Sequence, residues 1–236
     1  MQTKGIAMKI RILFCLLMCQ FFLFGEDYNK ARERMIRYQL EGRDIKNKTV
    51  LNAMKSVPRH RFVPDKQRRH AYDDRPLPIG YGQTISQPYI VAYMTQIIDP
   101  GPKYRILEIG TGSGYQAAVL AEIVDSVFTI EIVKELANKA RSTLEVNGYG
   151  NVVVRHSDGY YGWESKAPFD AIVVTAAAEH IPPPLIKQLK PDGKMIIPVG
   201  SPFMIQNLML VEKKGESVRT ISLFPVRFVP LTRETR

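Results

Sequence analysis

The sequence predicts an α/β domain: a mostly parallel sheet that ends in an antiparallel hairpin, preceded by an N-terminal helical extension. Three observations carry this expectation. From residue 104 onward, short apolar runs alternate with glycine-bearing turns and segments of helical period, as in parallel α/β units. The last two apolar runs, 207–212 and 217–223, are joined only by Lys213-Lys214-Gly215-Glu216, which suits a hairpin. Ahead of residue 58, apolar residues recur at helical spacing.

In chain order, Lys9 and Arg11 precede an apolar run at 12–24 that Gly25-Glu26-Asp27 closes, the layout of a secretory signal, with Met8 as an alternative start. The run is shorter than the roughly 20 residues that cross a bilayer. No small-x-small cleavage site follows it, so an N-terminal helix, buried or lying on a surface, is the competing reading. Residues 1–25 therefore form a signal-like segment and 26–236 a single domain, divided into a prelude (26–100), a core (101–225) and a tail (226–236). Helices are expected at 28–40, with Ala31, Met35, Ile36 and Leu40 on one side, and at 48–57, with Val50, Leu51, Met54 and Val57. The stretch 58–87 is too rich in proline and glycine for long elements. Beyond it come a helix at 89–98, strands at 105–109, 126–131, 152–156, 171–175 and 194–198, and helices at 115–124 and 134–147.

Composition narrows the chemistry. With 236 residues, 45% hydrophobic and 24% charged, the chain can bury a core without disulfide or structural metal. Its two cysteines, Cys15 and Cys19, both lie in the leader, so the domain has no thiol nucleophile. His60, His70, His156 and His180 lack ligand spacing, and no metal is expected. The net charge of +10 raises a nucleic-acid surface as a question. Its basic residues, at 30–43 and 59–75, are interleaved with Glu33, Glu41, Asp65, Asp73 and Asp74, which reads as solvated helix faces and no nucleic-acid partner.

Glu108-Ile109-Gly110-Thr111-Gly112-Ser113-Gly114 stands where a strand becomes a helix, and its glycines let ligand atoms approach the backbone. A tight turn with no ligand has the same glycines. Glu131, ending the next strand, can accept both hydroxyls of a ribose. Asp158-Gly159, after the third, can accept from an adenine amino group and leave room for the ring. The E-x-G-x-G-x-G spacing differs from the G-x-G-x-x-G of dinucleotide enzymes, and no hydride-transfer partner is evident. S-adenosylmethionine fits better, with Glu108 near its ammonium and sulfonium charges, in a Rossmann-like methyltransferase sheet.

The tip of the fourth strand, Val174-Thr175-Ala176-Ala177-Ala178, has neither the Asp/Asn-Pro-Pro-Tyr of adenine-N6 enzymes nor the carboxylates of metal-dependent ones. It suits an acceptor that is already nucleophilic, such as a carboxylate with a pKa of about 3.9, ionised without a general base. Gln83-Thr84-Ile85-Ser86-Gln87-Pro88-Tyr89-Ile90 offers hydroxyls to hold one. Ser86 before Pro88 is equally placed to cap the following helix.

From Met35 to Arg233 the chain resembles the protein-L-isoaspartate O-methyltransferase family. The resemblance rests on Val57-Pro58-Arg59, Phe62-Val63-Pro64, Tyr72-Asp73-Asp74-Arg75-Pro76-Leu77-Pro78-Ile79-Gly80, the segments 82–92, 107–121 and 167–178, Thr129-Ile130-Glu131, Ile196-Ile197-Pro198-Val199-Gly200 and Arg227-Phe228-Val229-Pro230-Leu231. It implies Ser86 as the active-site residue, a substrate site involving Thr84, Ile85, Val199, Gly200, Phe228 and Leu231, and S-adenosylmethionine without metal. It further implies isoaspartyl proteins and peptides as partners, repair through a succinimide, and a monomer. Ser157-Asp158-Gly159 departs from the family's Gly-Asp-Gly. The leader departs further: family and cofactor supply imply the cytoplasm, the leader export, with membrane contact only through that segment if it is uncleaved.

Overall fold

The computed structural model describes residues 27–201 and 204–234, so the leader with Cys15 and Cys19 lies outside the described residues. The chain enters through helix α1, Tyr28–Arg34, which continues as a π-helical turn, Met35–Glu41, and then α2, Lys48–Ser56. Asn47 starts α2 by accepting from the backbone N–H groups of Thr49 and Val50, which satisfies two of the donors a helix start leaves free. The 58–87 stretch holds no long element, as expected, but it is not featureless. Two 3₁₀ turns are followed by a hairpin of β1, Leu77–Gly80, and β2, Gln83–Ile85. Arg59 contradicts the expectation of a solvated basic face there: it is fully buried, donates from Nε to Ala71 O at 2.7 Å and lies 4.8 Å from the Tyr115 ring centroid. Aromatic stacking and one carbonyl compensate its charge only in part, since Nη1 and Nη2 are buried with no hydrogen-bond partner among the described residues.

Helix α3, Pro88–Ile98, leads into β3, Arg105–Ile109, then α4, Tyr115–Ala121, β4, Ser126–Glu131, α5, Lys134–Val146, and β5, Val152–His156. The chain continues through β6, Phe169–Val174, and α6, Pro183–Gln188, to β7, Leu189–Val199, β8, Gln206–Lys214, and β9, Ser217–Val226. Helix α6 was not expected, and β7 begins five residues before the apolar run at 194 that announced it. The seven-stranded sheet has the order β5-β4-β3-β6-β7-β8-β9, parallel through β7 and antiparallel through β8 and β9. The Rossmann-like expectation, end hairpin included, agrees with this sheet.

Strand alternation sorts the core into two layers. Ile106, Val127, Ala171, Val173 and Ile196 pack with the prelude helices and α4 on one face. Leu107, Phe128, Ile172, Val174 and Met195 pack with Trp163 and α6 on the other. Glu108 shares the parity of Ile106, so its side chain enters the prelude face beneath the glycine turn. Strand order reverses between β3 and β6, and the carboxyl ends of those two strands open the crevice where ligands bind in such sheets. Among the described residues, no helix is long and apolar enough to cross a membrane.

Candidate active site

The glycine turn is fixed by its neighbours on both sides. Gly110 N donates to Ile130 O at 2.8 Å, and Thr175, at the end of β6, donates from Oγ1 to Gly110 O at 2.6 Å. Gly110 has φ +96°, and a Cβ there would lie 2.5 Å from Thr175 Oγ1, so both the turn and the strand tip beside it require glycine. Gly112 N donates to Glu131 Oε2 at 2.8 Å and Val133 N to Oε1 at 2.9 Å, which orients the carboxylate into the crevice. Gly114 then opens α4. Gly159 is packed so closely that a Cβ would meet Ile109 Cγ2 at 2.4 Å.

A cleft runs over this turn, lined by Gly110, Gly112, Glu131, Ile132 and Gly159 and walled by the tail from Val229 to Thr232. Glu108 is fully buried next to it. Its Oε2 accepts from Thr129 Oγ1 at 2.5 Å, and its Oε1 has no partner among the described residues. Burial pushes its carboxyl up to about 8, with the Thr129 hydroxyl opposing and the Glu131 charge adding. A buried oxygen without a partner, beside a cleft lined by backbone and a fixed carboxylate, fits a cationic nucleoside ligand. Asp158 is also buried, but both its oxygens are engaged: Tyr160 N donates to Oδ1 and Arg233 Nε to Oδ2, each at 2.9 Å.

A second cleft, of about 430 Å³, adjoins the first and is lined by Ser86, Gln87, Tyr89, Phe224, Arg227 and Phe228. Thr84, Thr175 and Val229 line both, so the clefts meet at these three residues. Ser86 does not cap α3. Gln87 holds that position without a side-chain bond, and the Ser86 hydroxyl has no partner among the described residues. Pairing of Ile85 with Leu77 in the hairpin sends Thr84 outward and Ile85 into the core, where it is 3% exposed. Ile85 therefore packs rather than presenting its side chain to the acceptor cleft.

Two further expectations shift. Leu231 faces the first cleft, because its N–H bonds Ala177 O at 2.8 Å and draws the tail over the β6 tip. Val199 and Gly200 line neither cleft: Gly200 N donates to Ala178 O at 2.9 Å, so this turn braces the strand tip from behind. Residues not singled out from the sequence also converge here. Arg43 lies 3.4 Å from the Tyr89 ring centroid, pairs with Asp74 at 3.1 Å and lines the acceptor cleft. Among the described residues, no group of three or more His, Cys, Asp or Glu is placed to hold a metal ion.

A parallel sheet with a glycine turn at its switch point, an acid fixed at the next strand end and an acceptor cleft alongside defines a methyltransferase of the Rossmann-like class. Comparison with known proteins narrows this. The profile of the protein-L-isoaspartate(D-aspartate) O-methyltransferase family matches residues 29–236, and the chain belongs to that family. It is 56% identical over 208 residues to protein-L-isoaspartate O-methyltransferase 2 of Shewanella sediminis, covering 88% of this chain and 85% of that one. It is 59% identical over 203 residues to the Opitutus terrae protein-L-isoaspartate O-methyltransferase, covering 86% and 87%. A solved protein-L-isoaspartate O-methyltransferase superposes with a TM-score of 0.78 at 27% identity, over 84% of this chain and 65% of that one. A Plasmodium falciparum structure assigned to the same enzyme type, in complex with S-adenosyl-L-homocysteine, superposes with a TM-score of 0.75 at 26% identity, over 88% and 99%.

Proposed function

We propose that the chain methylates the free carboxyl of L-isoaspartyl residues, and the β-carboxyl of D-aspartyl residues, in damaged proteins and peptides, with S-adenosylmethionine as donor and without a metal. The observation that carries this reading is the meeting of the two clefts at Thr84, Thr175 and Val229, with the unpartnered Ser86 hydroxyl on the acceptor side. The reading is supported by membership of the family, whose relatives carry the isoaspartyl activity in their names.

When bound, the cofactor supplies an electrophilic methyl group on a sulfonium. The chain supplies placement. Glu131, locked by two backbone donors, would take the ribose hydroxyls, Glu108 would face the cationic end, and the base would lie against Gly159, which lines the cleft next to Asp158. On the acceptor side, Ser86 donates a hydrogen bond to one carboxylate oxygen and thereby aims the other, while Phe224 and Phe228 exclude water from the anion. The carboxylate arrives ionised, so no protein group has to remove a proton. The neighbouring backbone nitrogen then attacks the ester carbonyl and expels methanol, giving a succinimide that hydrolyses in part to normal aspartate.

Transfer of label from S-adenosylmethionine to an isoaspartyl peptide, beside its normal aspartyl twin, is the direct test. Selective labelling of the isoaspartyl peptide is expected, and labelling of neither peptide with cofactor still bound would discard the substrate. Ser86→Ala is expected to lower turnover by about 10–100-fold, the loss of one positioning hydrogen bond to a charged group, with S-adenosylmethionine affinity kept. Wild-type turnover in that variant would remove Ser86 from the acceptor site. The co-substrate is a cytoplasmic metabolite, which favours the cytoplasm, whereas the signal-like leader favours export. Fusing residues 1–30 to a reporter active only outside the cytoplasm decides between them, and a silent reporter is the expected result.

A further inference from the structure

We propose that Arg233 is a positioning residue that clasps the C-terminal tail over the nucleoside end of the cofactor cleft and governs how fast the cofactor exchanges. The inference rests on the S-adenosylmethionine reading above. As far as Leu231 the tail is tied down by backbone: Ala177 N donates to Val229 O and Leu231 N to Ala177 O, both at 2.8 Å. Past Leu231, among the described residues, the tie is made by the side chain of Arg233. Arg233 Nε donates to Asp158 Oδ2 at 2.9 Å, and the guanidinium lies 3.7 Å from the Tyr160 ring centroid and 5.1 Å from that of Tyr161.

The tail divides two spaces. On one side is the cofactor cleft; on the other is a recess of about 290 Å³ lined by Tyr160, Glu179, His180 and Arg233. Pro230 and Leu231 line both, so the tail itself is the partition between them. The ion pair is asymmetric: the Asp158 side chain is 6% exposed and that of Arg233 is 41% exposed. Losing the cation would leave a buried carboxylate with a single backbone donor, which holds the clasp shut. The half-exposed guanidinium can nevertheless swing into solvent without disturbing the core. Opening joins cleft and recess and frees the base end of the ligand on the side away from Ser86 and the acceptor cleft. The same contact fixes the Asp158 carboxylate, the acceptor proposed for the adenine amino group. Closure of the clasp therefore accompanies correct seating of the base.

The experiment is a chase of labelled S-adenosylhomocysteine from wild-type enzyme, Arg233→Ala and Arg233→Lys, together with KM and kcat for S-adenosylmethionine. Arg233→Ala is expected to release the ligand about tenfold faster, the effect of losing both a charged hydrogen bond and a cation–π contact. Its KM for S-adenosylmethionine rises by a larger factor than kcat changes. Arg233→Lys keeps the charge but not the planar stack, so its release rate falls between the other two. If Arg233→Ala melts early, the lysine variant carries the measurement. Release within twofold of wild type in both variants, with tight wild-type binding, overturns the clasp and leaves the cofactor reading intact. Failure of the wild type to bind S-adenosylhomocysteine removes the cofactor reading and the clasp with it.

Discussion

Replacing Glu131 with alanine is expected to weaken S-adenosylmethionine binding by about 10²–10⁴-fold, from the loss of two hydrogen bonds between a carboxylate and ribose hydroxyls at about 1.5–3 kcal/mol each. The carboxylate is buried, at 5% exposure, and held by Gly112 N and Val133 N, so it meets the ribose without first having to be ordered. The substitution also strips those two N–H groups of their acceptor, and a lower melting temperature is expected alongside. Titration calorimetry separates the two effects, because Glu131→Gln keeps an acceptor for one backbone donor while losing the charge. It is expected to restore most of the melting temperature and little of the affinity. Unchanged affinity in Glu131→Ala would take the residue out of the proposed ribose site.

The second large effect is a pH dependence seated at Glu108. Burial, opposed by the Thr129 hydroxyl and reinforced by the Glu131 charge, raises its carboxyl from 4.5 to about 8. The folded chain thus holds this proton more tightly than the unfolded chain does. The stability it contributes is complete below about 4.5 and is lost as pH rises through about 8. In the cofactor-free enzyme the melting temperature should fall as pH rises from about 4.5 to about 8 and level off above, and Glu108→Gln, which cannot ionise, should flatten that fall. A cationic ligand beside Oε1 reverses the preference by drawing the proton off. Affinity for S-adenosylmethionine should then rise by up to about tenfold per pH unit from about pH 5 toward pH 8, the slope for one proton released on binding. Superimposable pH profiles for wild type and Glu108→Gln, in both melting and binding, would show that this carboxyl does not titrate with the cofactor.

What could be read before any coordinates was whatever local pattern encodes. Short apolar runs bounded by glycine-bearing turns marked the sheet strands, most closely at β3 to β5, and the Lys213 to Glu216 turn marked the antiparallel end. The glycine turn and Glu131 were legible because their chemistry lies in adjacent backbone: the strand ends, the chain reverses, and Gly112 reaches an acid one strand away. Helix α6 was missed because its six residues start in a proline run and give too little periodicity to detect. The hairpin at 77–85 likewise has strands too short to announce themselves.

The division within the active site was a different matter. That Ile85 turns inward while Thr84 and Ser86 face a cleft follows from pairing across the hairpin. That Val199 and Gly200 line neither cleft, with Gly200 bonded to Ala178, follows from where β7 meets the β6 tip. Thr175 at the junction of the clefts, Arg59 buried against Tyr115, and Arg233 closed on Asp158 from 75 residues away are contacts between segments distant in sequence. Residue order therefore determined the class of sheet, the position of the glycine turn and the family. The tertiary structure decided which side chains share a cleft, because periodicity specifies only the face a residue occupies, and what it meets there depends on packing between elements that no local spacing records.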